Sequence, residues 1–149
     1  MPGEVFAHVH YQEAFAALGR LSVQVDEGTR RAVADAAHLV ERETKQTLGS
    51  VGRHGKGTPT PAPAGGPPAQ VTGTLRASVR VEGPTRRGFG DYRASIGPTV
   101  VYSRAQELGI ADRNLPARPY LTPTMNALSS SGRLAATYRR TWTEATRVR

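Results

Sequence analysis

His8 and His10 stand two residues apart in the alternating run Val5–His10, so both side chains would leave one face of a short strand, as the first two ligands of a metal site do. No third or fourth ligand is spaced to join them, which leaves exposed strand histidines as the plainer reading. The run Gly52-Arg53-His54-Gly55-Lys56-Gly57-Thr58 has the ingredients of a phosphate-binding loop. Its order is broken, because Gly57 separates Lys56 from Thr58, and no strand leads in and no helix follows. The carboxylates are scattered without a catalytic pair, and there is no nucleophile-elbow sequence. The 149 residues include no cysteine, which removes disulfides, thiol nucleophiles, zinc knuckles and iron–sulfur clusters together. No catalytic, metal-binding or cofactor-binding residue is assigned, and no enzyme is expected.

The length fits one domain with an appendage. Twenty Lys plus Arg against twelve Asp plus Glu give a formal charge of +8, and only Lys45 and Lys56 are lysines. That surplus suits an acidic partner, whether nucleic acid or a protein surface, and the forked arginine donors serve both. No apolar run approaches the ~20 residues that cross a bilayer, and Met1–His10 has no secretion-signal pattern, so a chain made in the cytoplasm with no membrane partner is expected.

The elements that must position any functional residue follow from periodicity. After the strand at Val5–His10, Phe15, Leu18 and Leu21 mark a helix over Tyr11–Leu21. A second helix is expected from Asp26, as its cap, to Leu48, where Gly49 stops it. Val33, Ala37, Val40 and Leu48 form its apolar stripe, Glu41 and Lys45 an i, i+4 pair on the wet side, and its length would be ~34 Å. From Gly49 to Pro68, eleven of twenty residues are Gly or Pro, too many to build a core. This arm, 49–71, is either a floppy insertion or a segment that orders against a neighbouring subunit.

Leu75, Ala77, Val79 and Val81 alternate with polar residues, as do Tyr92, Ala94 and Ile96, which predicts an antiparallel hairpin with a loop over Gly83–Gly90. Val100–Tyr102 is expected as a third strand, Ser103–Leu108 as a helical turn ended by Gly109, and Ile110–Leu121 as irregular chain. Thr122-Pro123 reads as a helix cap followed by proline at the first helical position. The last helix would run to Arg147, with Met125, Leu128, Leu134, Tyr138, Trp142 and Ala145 on its apolar side and a weak point at Ser129–Gly132. The fold class is α+β: a small antiparallel sheet packed against a long helix and a C-terminal helix, with a long Gly/Pro-rich loop.

Physical roles can be given to several residues in the second half. Thr72-Gly73 makes a tight approach to the strand at Leu75. Arg76 and Ser78 lie on the polar face of that strand, where they could meet Glu107 or a neighbouring subunit. Pro116 and Pro119 bracket Arg118, which would project in a fixed direction as an exposed anchor or serve as a plain loop tie. Tyr120 and Leu121 anchor the start of the last helix. Phe89 sits between Gly88 and Gly90 at a hairpin tip, to fold back on its own domain or to insert into a neighbour.

Three stretches in one order also carry a family likeness: Pro67-Pro68-Ala69-Gln70-Val71-Thr72-Gly73-Thr74-Leu75-Arg76-Ala77-Ser78; then Ile96-Gly97 with Val101-Tyr102-Ser103-Arg104-Ala105-Gln106-Glu107-Leu108-Gly109; then Pro116-Ala117-Arg118-Pro119-Tyr120-Leu121. With a helix at each end, over about residues 11–147, they resemble the tail-completion or neck (head–tail joining) proteins of long-tailed bacteriophages, the group of minor tail protein Z-like sequences. The long Gly/Pro segment departs from the short link usual there, as in a subset of relatives. The resemblance implies a structural virion protein at the head–tail junction. It would assemble as a homo-oligomeric ring, with six as the implied count, around the channel through which DNA leaves. Its neighbours would be a connector or stopper on the head side and a tail terminator or tail tube protein on the other.

A head-to-tail ring needs two different complementary patches on each subunit. The candidate interface residues are Arg76, Phe89, Glu107, Arg118 and Tyr120. Arg133, Arg139 and Arg140 are candidates for the DNA channel or an interface, since the last helix is basic. Two alternatives stand beside the joining role: a tail terminator ring of the same neck, and an Arg-rich nucleic-acid-binding domain, for which no base-reading motif appears.

Overall fold

The computed structural model describes residues 11–52, 55 and 62–147. The strand expected at Val5–His10, with its two histidines, and most of the run around Lys56 lie outside the described residues. The fold is α+β. Helix α1 (Tyr11–Ser50) is followed by a short helix α2 (Thr74–Ser78), strands β1 (Val79–Gly88) and β2 (Asp91–Pro98), a short helix α3 (Ser103–Leu108), a 3₁₀ turn at Ala111–Arg113, and helices α4 (Leu121–Ser130) and α5 (Arg133–Thr146).

The two helices expected in the first fifty residues are one. Its 40 residues make a rod of ~60 Å, longer than the rest of the domain needs. Nothing between Leu21 and Asp26 breaks a helix: the segment has neither Gly nor Pro, and Ser22 Oγ donates to the Gly19 carbonyl at 2.8 Å, inside the helix. Asp26 is not a cap. Its carboxylate is spent on the hairpin instead, which is why a poor helix former is tolerated in mid-helix.

The alternation at Leu75–Ser78 also misled, because α2 takes those four residues. Gly73 holds φ 81°, a left-handed conformation open to glycine, and turns the chain into this helix rather than into a strand. Ser78 Oγ closes it by donating to the Leu75 carbonyl. The ladder begins at Val79, opposite Pro98, and runs through Val81–Ile96 to Gly88–Asp91, with irregularities between Glu82 and Thr85 and between Arg86 and Gly88. Only Phe89 and Gly90 separate the strands, so the expected eight-residue loop is mostly β-structure.

Val100–Tyr102 is a turn, not a third strand. Thr99 N–H donates to the Ser78 carbonyl, after which the chain swings into α3, and Val101 is left wholly exposed. Among the described residues the sheet therefore has two strands. The last helix starts at Leu121 rather than at Thr122-Pro123, and it divides in two where Gly132 (φ 70°) follows the serine run. Proline still falls within the first turn of α4, where its missing N–H leaves no bond unmade.

The core forms where α1 meets everything else. Leu39, Val40 and Leu128 make one buried cluster, and Leu48, Val79 and Tyr120 another; Ile96 and Leu121 touch both and join them. Toward its N-terminal half, α1 turns small, with Gly28, Thr29 and Ala32 buried, and α5 packs there antiparallel. A Cβ at Gly28 would lie 2.8 Å from Thr146 Cγ2, which shows how closely the helices approach. Polar ties run along the same seam: Arg133 to Glu43 at 2.9 Å, Thr141 Oγ1 to Asp35 at 2.7 Å, and Trp142 Nε1 to Thr29 Oγ1 at 3.3 Å. Among the described residues one buried side-chain group stays unmatched, since Thr44 Oγ1 has no partner although the residue is fully enclosed.

Candidate assembly interfaces

Two junctions, at opposite ends of the part of α1 that lies in the domain, hold most of the residues singled out from the sequence. The first is built on Asp26. Gly90 N–H donates to its Oδ1 at 2.9 Å, the Tyr92 hydroxyl to its Oδ2 at 2.8 Å, and Arg86 Nε stands 3.3 Å from Oδ2. The Gly90 and Tyr92 hydrogen bonds, with the Arg86 charge added, hold this carboxyl below its ordinary range. The clamp fixes the hairpin tip against α1 and so sets where Phe89 stands. Phe89 is 63 % exposed beside Val23, neither folded back into the core nor covered. One turn along, Arg30 and Arg31 bind Glu27 and bring its carboxyl down to about 2.

The second junction gathers the three stretches that carry the family likeness. Glu107, at the end of α3, accepts the backbone N–H groups of Tyr120 (2.8 Å), Leu121 (3.1 Å) and Thr122 (2.8 Å). Burial opposes its charge, but those amides outweigh it, and the carboxyl sits below its ordinary range. A carboxylate from thirteen residues upstream thus caps the N-terminus of α4, where orphan N–H groups and the helix dipole both favour negative charge. Tyr120 is 1 % exposed, its ring among Leu48 and Val79, and its hydroxyl donates to the Ser103 carbonyl at 3.3 Å; burial pushes this phenol up to about 12. Gly109, which ends α3, has φ 71° and ψ 175°, and a Cβ there would lie 2.7 Å from both Ala117 N and the Leu115 carbonyl. Only glycine fits that crossing.

Of the two readings of Arg118, exposed anchor or loop tie, the fold takes the second. Arg118 is not an exposed anchor between prolines but a buried tie: its Nε donates to the Ala62 carbonyl at 2.9 Å. Gly65 N–H donates to the Ala117 carbonyl beside it. The C-terminal part of the arm therefore seats on its own subunit, with Ala62 and Pro68 buried. The prolines do stiffen this loop, but they aim Arg118 inward because the arm supplies an acceptor there. Glu107 and Tyr120 are likewise engaged within the subunit. Arg76 does not meet Glu107; it lies over the last turn of α1, so that a Cβ at Gly49 would come within 3.3 Å of its Nη1.

Of the basic candidates, Arg133 is paired with Glu43, while Arg139 and Arg140 are exposed. Two open grooves run along α1. One is bordered by Lys45, Arg42 and Arg76, the other by Arg42, Arg133 and Arg140. Arg42 belongs to both, and Glu41 and Asp35 stand among the cations, so the grooves form a mixed band rich in arginine, of which the sequence reading included Arg76, Arg133 and Arg140 but not Arg42 and Lys45. The signal was the helical spacing of Arg42 and Lys45, hidden by the pairing of Lys45 with Glu41 at 2.7 Å.

Among the described residues no group of three His, Asp or Glu side chains is placed to hold a metal ion. No helix among them is long and apolar enough to cross a membrane. Compared with protein-family models, curated proteins and solved structures, the chain matches none.

Proposed function

We propose that this chain is a structural protein of the neck of long-tailed bacteriophages, a subunit of a ring that joins head to tail around the DNA channel. The observation that carries the reading is the meeting of three sequence stretches at one junction. Leu75 in the first, Gln106, Glu107 and Gly109 in the second, and Ala117, Arg118 and Tyr120 in the third pack or bond together at one end of α1. Their residue types answer demands of folding: a remote cap, a glycine crossing and a buried ring. Residues that serve the fold in this way suit a protein that works by shape. Exposed apolar side chains toward each end of the long helix suit a subunit that must contact copies of itself.

Phage particles assembled without this chain should accumulate as DNA-filled heads and finished tails that fail to join. Intact infectious particles would refute the proposal, and tails of uncontrolled length would move the role to a tail terminator. The band of Arg76, Lys45, Arg42 and Arg140 favours a second contribution, contact with the phosphates of the passing genome. Duplex DNA should then bind the isolated protein without sequence preference and with a steep loss on adding salt, and Arg42→Glu with Arg140→Glu should flatten that slope. Salt-insensitive or absent binding would rule this contact out.

A further inference from the structure

The stripe that faces the core does not stop where the domain stops. At 100° per residue, Ala14, Leu18, Leu21 and Val25 continue the face of α1 that carries Ala32 and Val40, with Phe15 on its edge. Yet α5 ends at Thr146, level with Gly28, and beyond the half-buried Val25 the stripe lies bare: Phe15 is 71 %, Leu18 61 % and Leu21 45 % exposed. Across residues 12–25 the only charges are Glu13 and Arg20, one of each sign. Such a helix lacks the cations that nucleic acid or an anionic lipid surface would require, and it fits an apolar protein surface.

Three further apolar side chains are bare toward the far end of the molecule. Val101 is 100 %, Leu108 63 % and Tyr102 45 % exposed, on the turn and helix α3 that Tyr120 ties to Leu48. From Leu18 to Leu48 the rod spans ~45 Å, so the two surfaces cannot meet within one subunit. Because they differ and point to opposite ends, pairing them between copies is heterologous, the arrangement that propagates and closes into rings. The exposed parts of the six named side chains amount to roughly 700 Å² of apolar surface, which at the usual apolar share corresponds to an interface of about 1,200 Å², enough for a specific contact.

We propose that residues 12–25 of one subunit dock, through Phe15, Leu18 and Leu21, onto the Val101, Tyr102 and Leu108 surface of the next copy of this chain. This assignment rests on the reading of the protein as a ring subunit and names the surface that builds the ring.

Mixing complementary variants tests it with the full chain. Leu18→Glu spoils the helix and leaves the receiving surface, and Val101→Glu does the reverse; both positions are exposed, so circular dichroism should show unchanged melting. In analytical ultracentrifugation the wild type should form species larger than a dimer, and each variant alone should associate ~30-fold or more weakly. An equimolar mixture should give a dimer of twice the 16.0 kDa chain mass and nothing larger, since it holds one good pair of surfaces. If Val101→Glu still assembles while Leu18→Glu does not, helices pair with helices and the assignment is overturned. Assembly unaffected by either change overturns it too and leaves the ring reading standing. A wild type that stays monomeric to about 100 µM overturns both.

Discussion

Replacing Glu107 tests whether a side chain thirteen residues upstream sets the start of the C-terminal helices. In Glu107→Ala the N–H of Thr122 is exposed and finds water, that of Leu121 is half covered, and that of Tyr120 lies in a residue buried to 1 %. Losing a helix cap costs about 1–2 kcal/mol, and an amide left unpaired in a buried place about 1–3 kcal/mol. These overlap, so the expected loss is about 2–4 kcal/mol, or roughly 6–12 °C in melting temperature for a chain of this size. Glu107→Gln keeps an acceptor oxygen and loses the charge, and should cost about half as much. The carboxyl is held below its unfolded value of 4.5, so the stability its charge adds is fully present above that pH and fades as pH falls through the folded value. Urea and thermal unfolding followed by circular dichroism at pH 7 and pH 3 should show the gap between wild type and Glu107→Gln closing at the acid end. An alanine variant within about 0.5 kcal/mol of wild type, or a gap indifferent to acid, would refute the capping argument.

Gly109→Ala should lose more than about 3 kcal/mol, because the backbone angles there belong to glycine and the added carbon meets the chain at Leu115 and Ala117; thermal unfolding checks it. Thr44→Val removes a fully buried hydroxyl with no partner and should raise stability by about 1 kcal/mol, read as a higher urea midpoint. Arg118→Ala should release the arm, so that a non-specific protease cuts within residues 62–70 at enzyme levels that spare the wild type, whereas a purely exposed arginine would leave the digestion pattern unchanged.

The core-facing stretch of α1 beyond Asp26 was readable because its repeat is strong: Ala37, Val40 and Leu48 lie in the core as their spacing requires. The short helix at Ser103–Leu108, the hairpin partners Val81 and Ile96, and the weak point at Ser129–Gly132 were readable for similar reasons, each marked by alternation or by glycine. The failures share one cause. Asp26 has the chemistry of a local cap, and Glu107 has no capping partner nearby in sequence, yet both act on segments far along the chain. Arg118 looked exposed because a charged residue between prolines usually is, and only the arriving Ala62 carbonyl makes burying it tolerable. The alternation over Leu75–Glu82 is real, but it does not mark where the strand begins, and α2 takes its first four residues.

From residue order alone came the α+β class, the helix faces, the glycine stop at Gly109 and the absence of thiol chemistry, because each depends on neighbours within a few positions. Tertiary structure decided which polar side chains became internal ties, that the arm seats on its own subunit, and that the apolar face of α1 outruns its cover. Those outcomes depend on which surfaces lie level with one another once the chain is folded. The register of α1 against α5 leaves Leu18 bare, and no local pattern records that register.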